Sequence, residues 1–465
     1  MITIVAAILL SSTASTPTVN QGGNQQRKSL LQQIVPNPTG RNGYEDYLMA
    51  CDLLAGTTAR LLTEATPEGF DKTIREFEAP LPKNLTEDQA AEFEMGRPTL
   101  EQYREAKKYQ GYSVLQLRKE AMAQAGRALD LVNRGNQKPV FDPRTKTDSA
   151  TLFPEYTMMR GLGRLAVAGA YVAFAEGRSK QATQYLCDAI ILGQNLTDGV
   201  LIARLVGIAI QATTFAAFEK FLPSMSMIDA QVVEALGPKL ITSPPAAVQA
   251  LNREFAFINQ SLDSMFDSAD SIVDNVASGN DEKTIAEQSA HEYFSKMSPT
   301  EKKQLIDLCK RNLARHREQV LAGFRRPEAN WDESVEDTNS EFPESRRIGS
   351  VNDLAKYLSN SVTPVFSQLG TAEIRNRTQI RLLALAGSVI RFRWENDRWP
   401  TKLSEAVGEK GVFDPASNDE FQYEVQGTGF RVYSKGSKTT GEIALRYRRQ
   451  PSGGENQPPP PSALN

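Results

Sequence analysis

The segment Arg391-Phe-Arg-Trp-Glu-Asn-Asp-Arg-Trp-Pro400 decides how the C-terminal part of this chain is read. It closes a helix predicted from Ile374 to Glu395. The apolar residues of that helix are Leu382, Leu383, Leu385, Val389, Ile390 and Phe392; Arg375, Arg377, Arg381, Arg391 and Arg393 line the remainder. Trp399-Pro400 stops the helix, because a residue before proline is pushed out of the α region. Leu403 to Val407 then reads as a short helix. Phe413-Asp-Pro415 reads as a turn in which the Asp414 side chain bonds nearby backbone N–H groups. Strands are predicted near 421–425 and 430–434, joined through Gly427-Thr-Gly429, with a third at 442–448. Phe421, Tyr423, Phe430 and Tyr433 are expected to lie against the helix. A sheet this small needs that support.

Working outward, the rest of the chain is helical in pattern, so the predicted class is mainly α with a small α+β unit at the end. Leu100 to Asn133 reads as one long amphipathic helix carrying Leu115, Leu117, Ala121, Ala125, Leu129 and Leu131. Residues 138–144 read as a turn. Glu155 to Leu222 is the most apolar stretch and the expected heart of the core. Gly177 should end one helix there in a left-handed turn. The small Ala182 and Ala189 should let the next helix approach, with Tyr171, Tyr185 and Leu186 filling the groove. This unit resembles a single tetratricopeptide-like hairpin, with a generic helical hairpin as the plainer reading. Residues 200–221 should form a third, nearly all-apolar helix.

A further helix is predicted over 245–278, with Leu251, Phe255, Ile258, Leu262, Phe266 and Val273 as its buried stripe. Asp263, Asp267, Asp270 and Asp274 share one face of it. They are candidates for cation binding or for docking a basic partner, while a solvated, metal-free face is the plainer reading. Ser298-Pro-Thr-Glu301 has capping-box spacing and should open a helix over 297–325. Residues 327–350 read as a long loop. The organisation that follows is an apolar segment (1–15), a polar linker (16–42), a helical domain (43–370), an α+β unit (371–449) and a Pro-rich disordered tail (450–465).

The order helix, Trp399-Pro400, short helix, Asp414-Pro415 and sheet ending in Tyr433-Ser-Lys-Gly436 resembles the C-terminal half of the type II secretion major pseudopilin, the G family. The match covers 371–449 only. It implies a long helix carrying a three-stranded antiparallel sheet, and a secretion-related setting. The family opens with a basic leader, a processing site and a long apolar helix; here several hundred residues precede the unit. A polymerising subunit of the usual type is therefore not expected. The family's calcium loop corresponds to Ser434-Lys-Gly-Ser-Lys-Thr-Thr-Gly441, which has no carboxylate and carries Lys435 and Lys438. Neither calcium nor any cofactor is expected there.

Composition narrows the function classes. The formal net charge of -3 argues against nucleic acid as a partner. No run of eighteen apolar residues is present, so no complete membrane span is expected. Ile2 to Leu10 is an apolar run followed by small residues, which reads as a signal-like segment despite the lack of a preceding Lys or Arg. Export or tethering follows as the expectation: periplasmic, secreted or held to a membrane through the N-terminus, with a cytoplasmic chain as the alternative. Cys51, Cys187 and Cys309 read as buried thiols. His291 and His316 lack partners at ligand spacing and read as surface residues. No nucleotide-binding or hydrolase motif occurs. Two readings survive: a non-catalytic envelope scaffold acting through protein partners, and an enzyme or ligand-binding protein with a cleft in the helical domain.

Overall fold

The computed structural model describes residues 28–80, 82, 86, 95–144, 147, 151–265, 285–331, 346–362 and 367–448. The chain is mainly α, and among the described residues the strands lie at the C-terminal end. The N-terminal layer begins with α1 (Leu30–Ile34), whose Ser29 and Gln32 form a reciprocal cap. Its first N–H groups, those of Leu30 and Leu31, donate to the Asp52 carboxylate at 2.7 and 3.4 Å. Residues 28–42, expected to be linker, are thus tied to α2 (Gly43–Ala55) through a contact to a distant residue.

After α3 (Ala59–Glu64) and α4 (Pro67–Glu78), the predicted long helix is three: α5 (Leu100–Lys108), α6 (Val114–Ala125) and α7 (Arg127–Asn136). Gly111 at φ +81° turns the chain, and Ser113 with Gln116 caps a new start. The break matters for packing. α6 can then bury Leu117 and Ala121 against α3 and α8 (Pro154–Ala175), while α7 lies along α2.

The hairpin of α8 and α9 (Ser179–Asn195) turns at Gly177, φ +74°. α10 (Leu201–Phe221) crosses α9 where Gly193 and Gly207 touch; a Cβ on Gly207 would collide with the Gly193 carbonyl oxygen. One helix among the described residues is long and apolar enough to cross a membrane, Leu201–Ser224, with mean hydropathy 1.7. Here it is a core helix, packed by α8, α9 and the C-terminal unit.

α11 (Met227–Glu234), α12 (Leu236–Leu240) and α13 (Ala246–Met265) follow. Leu251, Phe255, Ile258 and Leu262 are buried as predicted. Asp263 belongs to α13, but its side chain and Asp267, Asp270, Asp274, Phe266 and Val273 lie outside the described residues. α14 (Ile285–Ser295) leads to α15 (Pro299–Gly323), which carries the predicted Ser298/Glu301 box. His316 is not on the surface. It is buried in α15 with its ring edge-on to Phe255 at 6.0 Å, and burial lowers its pKa. The apolar face of α15 needs that position to meet α13, which outweighs the local run of charges. His291 is exposed, and the three cysteines are buried free thiols.

After α16 (Val351–Val362), α17 runs from Ser367 to Asn396 and is followed by α18 (Leu403–Val407). A short antiparallel pair, β1 (Phe413–Asp414) and β2 (Asp419–Glu420), flanks the Asp-Pro turn. The sheet β3 (Gln422–Gln426), β4 (Gly429–Ser434) and β5 (Ile443–Tyr447) is antiparallel throughout, and Gly427 at φ +57° makes its first hairpin. Phe430 and Val432 bury against α17, and Tyr423 packs on the same core. Tyr433 does not. It alternates with Val432 and Ser434 and so faces outward, under the Arg431 guanidinium at 4.0 Å. The C-terminal unit shares its core with the helical body: Leu382, Val389 and Phe430 belong to one cluster with Phe174, Leu186 and Phe218. Leu369 and Ile374, at the start of α17, join another cluster with α13, α15 and α16.

Candidate interaction surface

α11 and α17 pack antiparallel. Gly387 lets them touch, since a Cβ there would meet the Ala230 carbonyl oxygen and the Glu234 nitrogen at 2.8 Å. Arg391 clamps the far side, donating to Glu234 at 2.7 and 3.2 Å and to Glu395 at 2.8 Å. Those carboxylates raise its already high pKa. At the end of the seam the Trp394 indole N–H donates to the Met225 carbonyl at 3.3 Å, which places the ring beside the first turn of α11. The inner face of α11 is spent on Ala230 and Val233. Its outer face is open and, beside the exposed Gln231, carries apolar side chains: Met227 is 38% exposed, Ile228 60% and Val232 41%, with Trp394 at 56%. Ile228 and Val232 stand one turn apart and form a stripe. Solvent-facing helix residues are ordinarily polar, so this stripe is the surface feature that calls for a partner.

Charged groups also converge in the interior. Arg204, in the apolar first half of α10, donates through Nε and Nη2 to Glu373 of α17 at 2.9 and 2.8 Å, and both side chains are buried. Glu328 takes Arg377 at 3.1 Å and Arg381 at 2.5 Å. Tyr44 and Arg144 both donate to Glu155 at 3.0 and 2.6 Å, and Arg144 also reaches Asp142. Burial raises the Glu155 pKa against these partners. Asp188 accepts from Asn133, Asn136 and Gln184 at 2.9, 3.0 and 3.1 Å, and burial raises its pKa as well. These groups cross-link helices distant in sequence, and each carboxylate points at protein donors. A lone arginine in an apolar helix was the signal for Arg204, and its acidic partner could not be chosen from the sequence.

The predicted residues of the C-terminal unit are brought together as a structural set. Trp399 is half-buried and edge-on to Phe430 and Tyr447, each 5.1 Å away, and Pro400 is buried at the helix stop. Asp414 is fully buried, with Pro415 half-buried after it. As expected, Asp414 accepts from the Ala416 backbone N–H at 3.1 Å; it also accepts the Ser434 hydroxyl at 2.5 Å, tying the turn to the end of β4. Phe421 is buried and Tyr423 half-buried. In the loop after β4, the Ser437 N–H donates to Thr440 Oγ1 at 2.8 Å and the Gly436 N–H to Ser434 Oγ at 2.8 Å, so hydroxyls hold it closed. Among the described residues, no group of three or more His, Cys, Asp or Glu side chains could hold a metal ion. Comparison with known proteins gives no match: no family model fits the chain, and no curated protein or solved structure is significantly similar to it.

Proposed function

We propose that the protein is a non-catalytic helical scaffold of the cell envelope that works through protein contacts, with a C-terminal unit akin to the type II secretion pseudopilin. The observation that carries this reading is the open stripe of Ile228, Val232 and Met227 beside Trp394. It lies on the seam between the helical body and the C-terminal unit, so a partner seated there touches α11 and α17 together. The order of Trp399-Pro400, Asp414-Pro415 and the three-stranded sheet supports the kinship of the unit. The helix of the unit is covered by α10, α11 and the sheet, which suits a fixed building block rather than a polymerising subunit. The N-terminal apolar run supports export or tethering. The partner is read as protein, with no role for nucleic acid and with membrane contact through the N-terminus alone.

The test is retention of the purified chain on envelope fractions, comparing the unmodified protein with Ile228→Asp/Val232→Asp. Both positions are exposed, so the fold should survive, as circular dichroism would check. Loss of retention is the expected result, with Val425→Asp on the sheet retained like the parent. Equal retention of all three proteins would remove the stripe from the reading. Cell fractionation with N-terminal sequencing tests the location; an intact Met1 on a cytoplasmic chain would refute it.

A further inference from the structure

Charge is spread unevenly along this chain. The formal net charge is -3, yet between Pro299 and Arg326, along α15 and just past its end, eight Lys and Arg residues stand against three Asp and Glu. One side of α15 is spent on the core: Leu305, Cys309, Leu313, His316 and Val320 are buried, with α13 and α16 packed on the helix. The opposite side carries Lys303, Asp307, Arg311, Arg315 and Glu318, all exposed, with Arg325 just beyond the helix. Some cations of the segment are already used. Arg317 donates to Asn252 at 2.7 Å, Lys302 lies over the Phe294 ring at 4.7 Å, and Arg325 meets Glu318 at 3.8 Å. Lys303, Arg311 and Arg315 have no such partner among the described residues. Arg311 and Arg315 stand one turn apart, where like charges on a helix oppose each other. Ala314 and Ala322 are exposed on the same side, so little side chain fills the space between the charges.

From these observations we infer that the exposed face of α15 docks an acidic helix of a partner protein. Each guanidinium offers a planar fork that matches a carboxylate at two points. The small Ala314 and Ala322 let a second backbone come close enough for those forks to reach. From Lys303 to Arg315 the face extends along about 18 Å of helix, enough for several turns of a partner. The mixed signs favour a polypeptide over a uniform polyanion. Asp307 and Glu318 would lie against the phosphates of a duplex or an anionic lipid sheet. A polypeptide can instead set Asp or Glu opposite Lys303, Arg311 and Arg315 and leave the two carboxylates a neutral or basic neighbour. This surface is separate from the α11 stripe: Ala230 and Val233 of α11 belong to one core cluster, and Leu305 and Leu313 of α15 to another.

The test uses the full chain and a monomeric, alanine-based helical peptide of about twenty residues with Glu at every fourth position, long enough to hold a helix. Fluorescence anisotropy should show saturable binding that weakens as salt rises. Arg311→Gln/Arg315→Gln should bind at least about fivefold more weakly. Lys402→Gln/Lys410→Gln, which removes the same charge from exposed positions of the C-terminal unit, should bind like the parent. Ile228→Asp/Val232→Asp should also bind like the parent, so that this surface and the stripe stand or fall separately. Absence of saturable binding, or equal weakening in either control variant, would overturn the proposal. So would tighter binding of a DNA duplex or of anionic vesicles to the same face. Binding that appears only after Asp332→Asn/Glu333→Gln/Glu336→Gln/Asp337→Asn would overturn it too, by giving the face to an acidic segment of the chain itself.

Discussion

The C-terminal unit and the N-terminal helical layer are both well packed, but they are specified differently. In the unit, from α17 to β5, each turn is written locally. Proline stops α17, Asp414 binds the N–H two residues on, and Gly427 takes the left-handed turn of the hairpin. In the layer from α1 to α9, local caps such as Ser29 with Gln32 and Ser113 with Gln116 start helices, but side chains from far along the chain tie those helices to one another. Asp52 caps α1, and Asp188 gathers Asn133 and Asn136. The comparison teaches that punctuation by Pro, Gly and Asx residues can be read one segment at a time, whereas polar cross-links can be read only from the assembled fold.

The largest effects should fall where the two regimes meet, on α17. Glu373→Ala strands the buried Arg204 and should cost about 3–5 kcal/mol in denaturant unfolding. The double change Arg204→Met/Glu373→Leu should recover most of that loss, because apolar replacements of a buried pair are often neutral. A Glu373→Ala cost below about 1 kcal/mol would mean that the interior cross-links do not hold the body to the unit. Phe430→Ala should cost about 3–5 kcal/mol, since the ring is buried against Trp399 and Tyr447. If the two sites belong to one cooperative core, both variants should unfold in a single transition seen identically by far-UV and tryptophan signals. Two transitions would instead make the unit a separate domain.

Legibility follows the same division. The class, the Gly177 hairpin, α18 and the three-stranded sheet were readable because hydrophobic periodicity and turn residues fix them within a few positions. The outward direction of Tyr433 was available from the period of two, once Phe430 was placed inside. The first break in residues 100–133, between α5 and α6, was signalled by Gly111 and by Ser113 with Gln116, but the amphipathic pattern runs through it and masks it; the second, at Gly126, has no side-chain cap to mark it. The interaction stripe was not legible. Ile228 and Val232 look like core residues until α17 arrives, from far along the chain, and takes the opposite face of α11. Arg391 and Glu234 are 157 positions apart, and nothing local pairs them. His316 failed for a related reason: its neighbours are charged, but its own position falls on the buried face of α15.

A middle-sized effect tests the hairpin that both regimes describe. Gly177→Val forces a β-branched residue to φ +74° and should cost about 1–2 kcal/mol, although open space surrounds the position. Gly177→Asn should cost less, because asparagine tolerates the left-handed region. Equal costs for valine and asparagine would show that backbone strain is not the cause.

The smallest effect concerns a carboxylate of the long-range kind. Glu254 of α13 accepts the Leu201 N–H at 2.8 Å at the start of α10, and burial raises its pKa. A carboxyl group whose folded pKa lies above its unfolded value, near 4.3 for glutamate, adds stability below that unfolded value. The contribution is lost as pH rises through the folded pKa. Glu254→Gln keeps an oxygen for the Leu201 N–H and removes the charge that burial disfavours. The variant should therefore be more stable than the parent at pH 7.5, by less than about 1 kcal/mol, and the gap should close near pH 4. Denaturant midpoints at the two pH values measure this. A variant weaker than the parent at neutral pH would mean that the hydrogen bond to Leu201 needs the full negative charge, and that the join between α10 and α13 is electrostatic rather than a matter of packing.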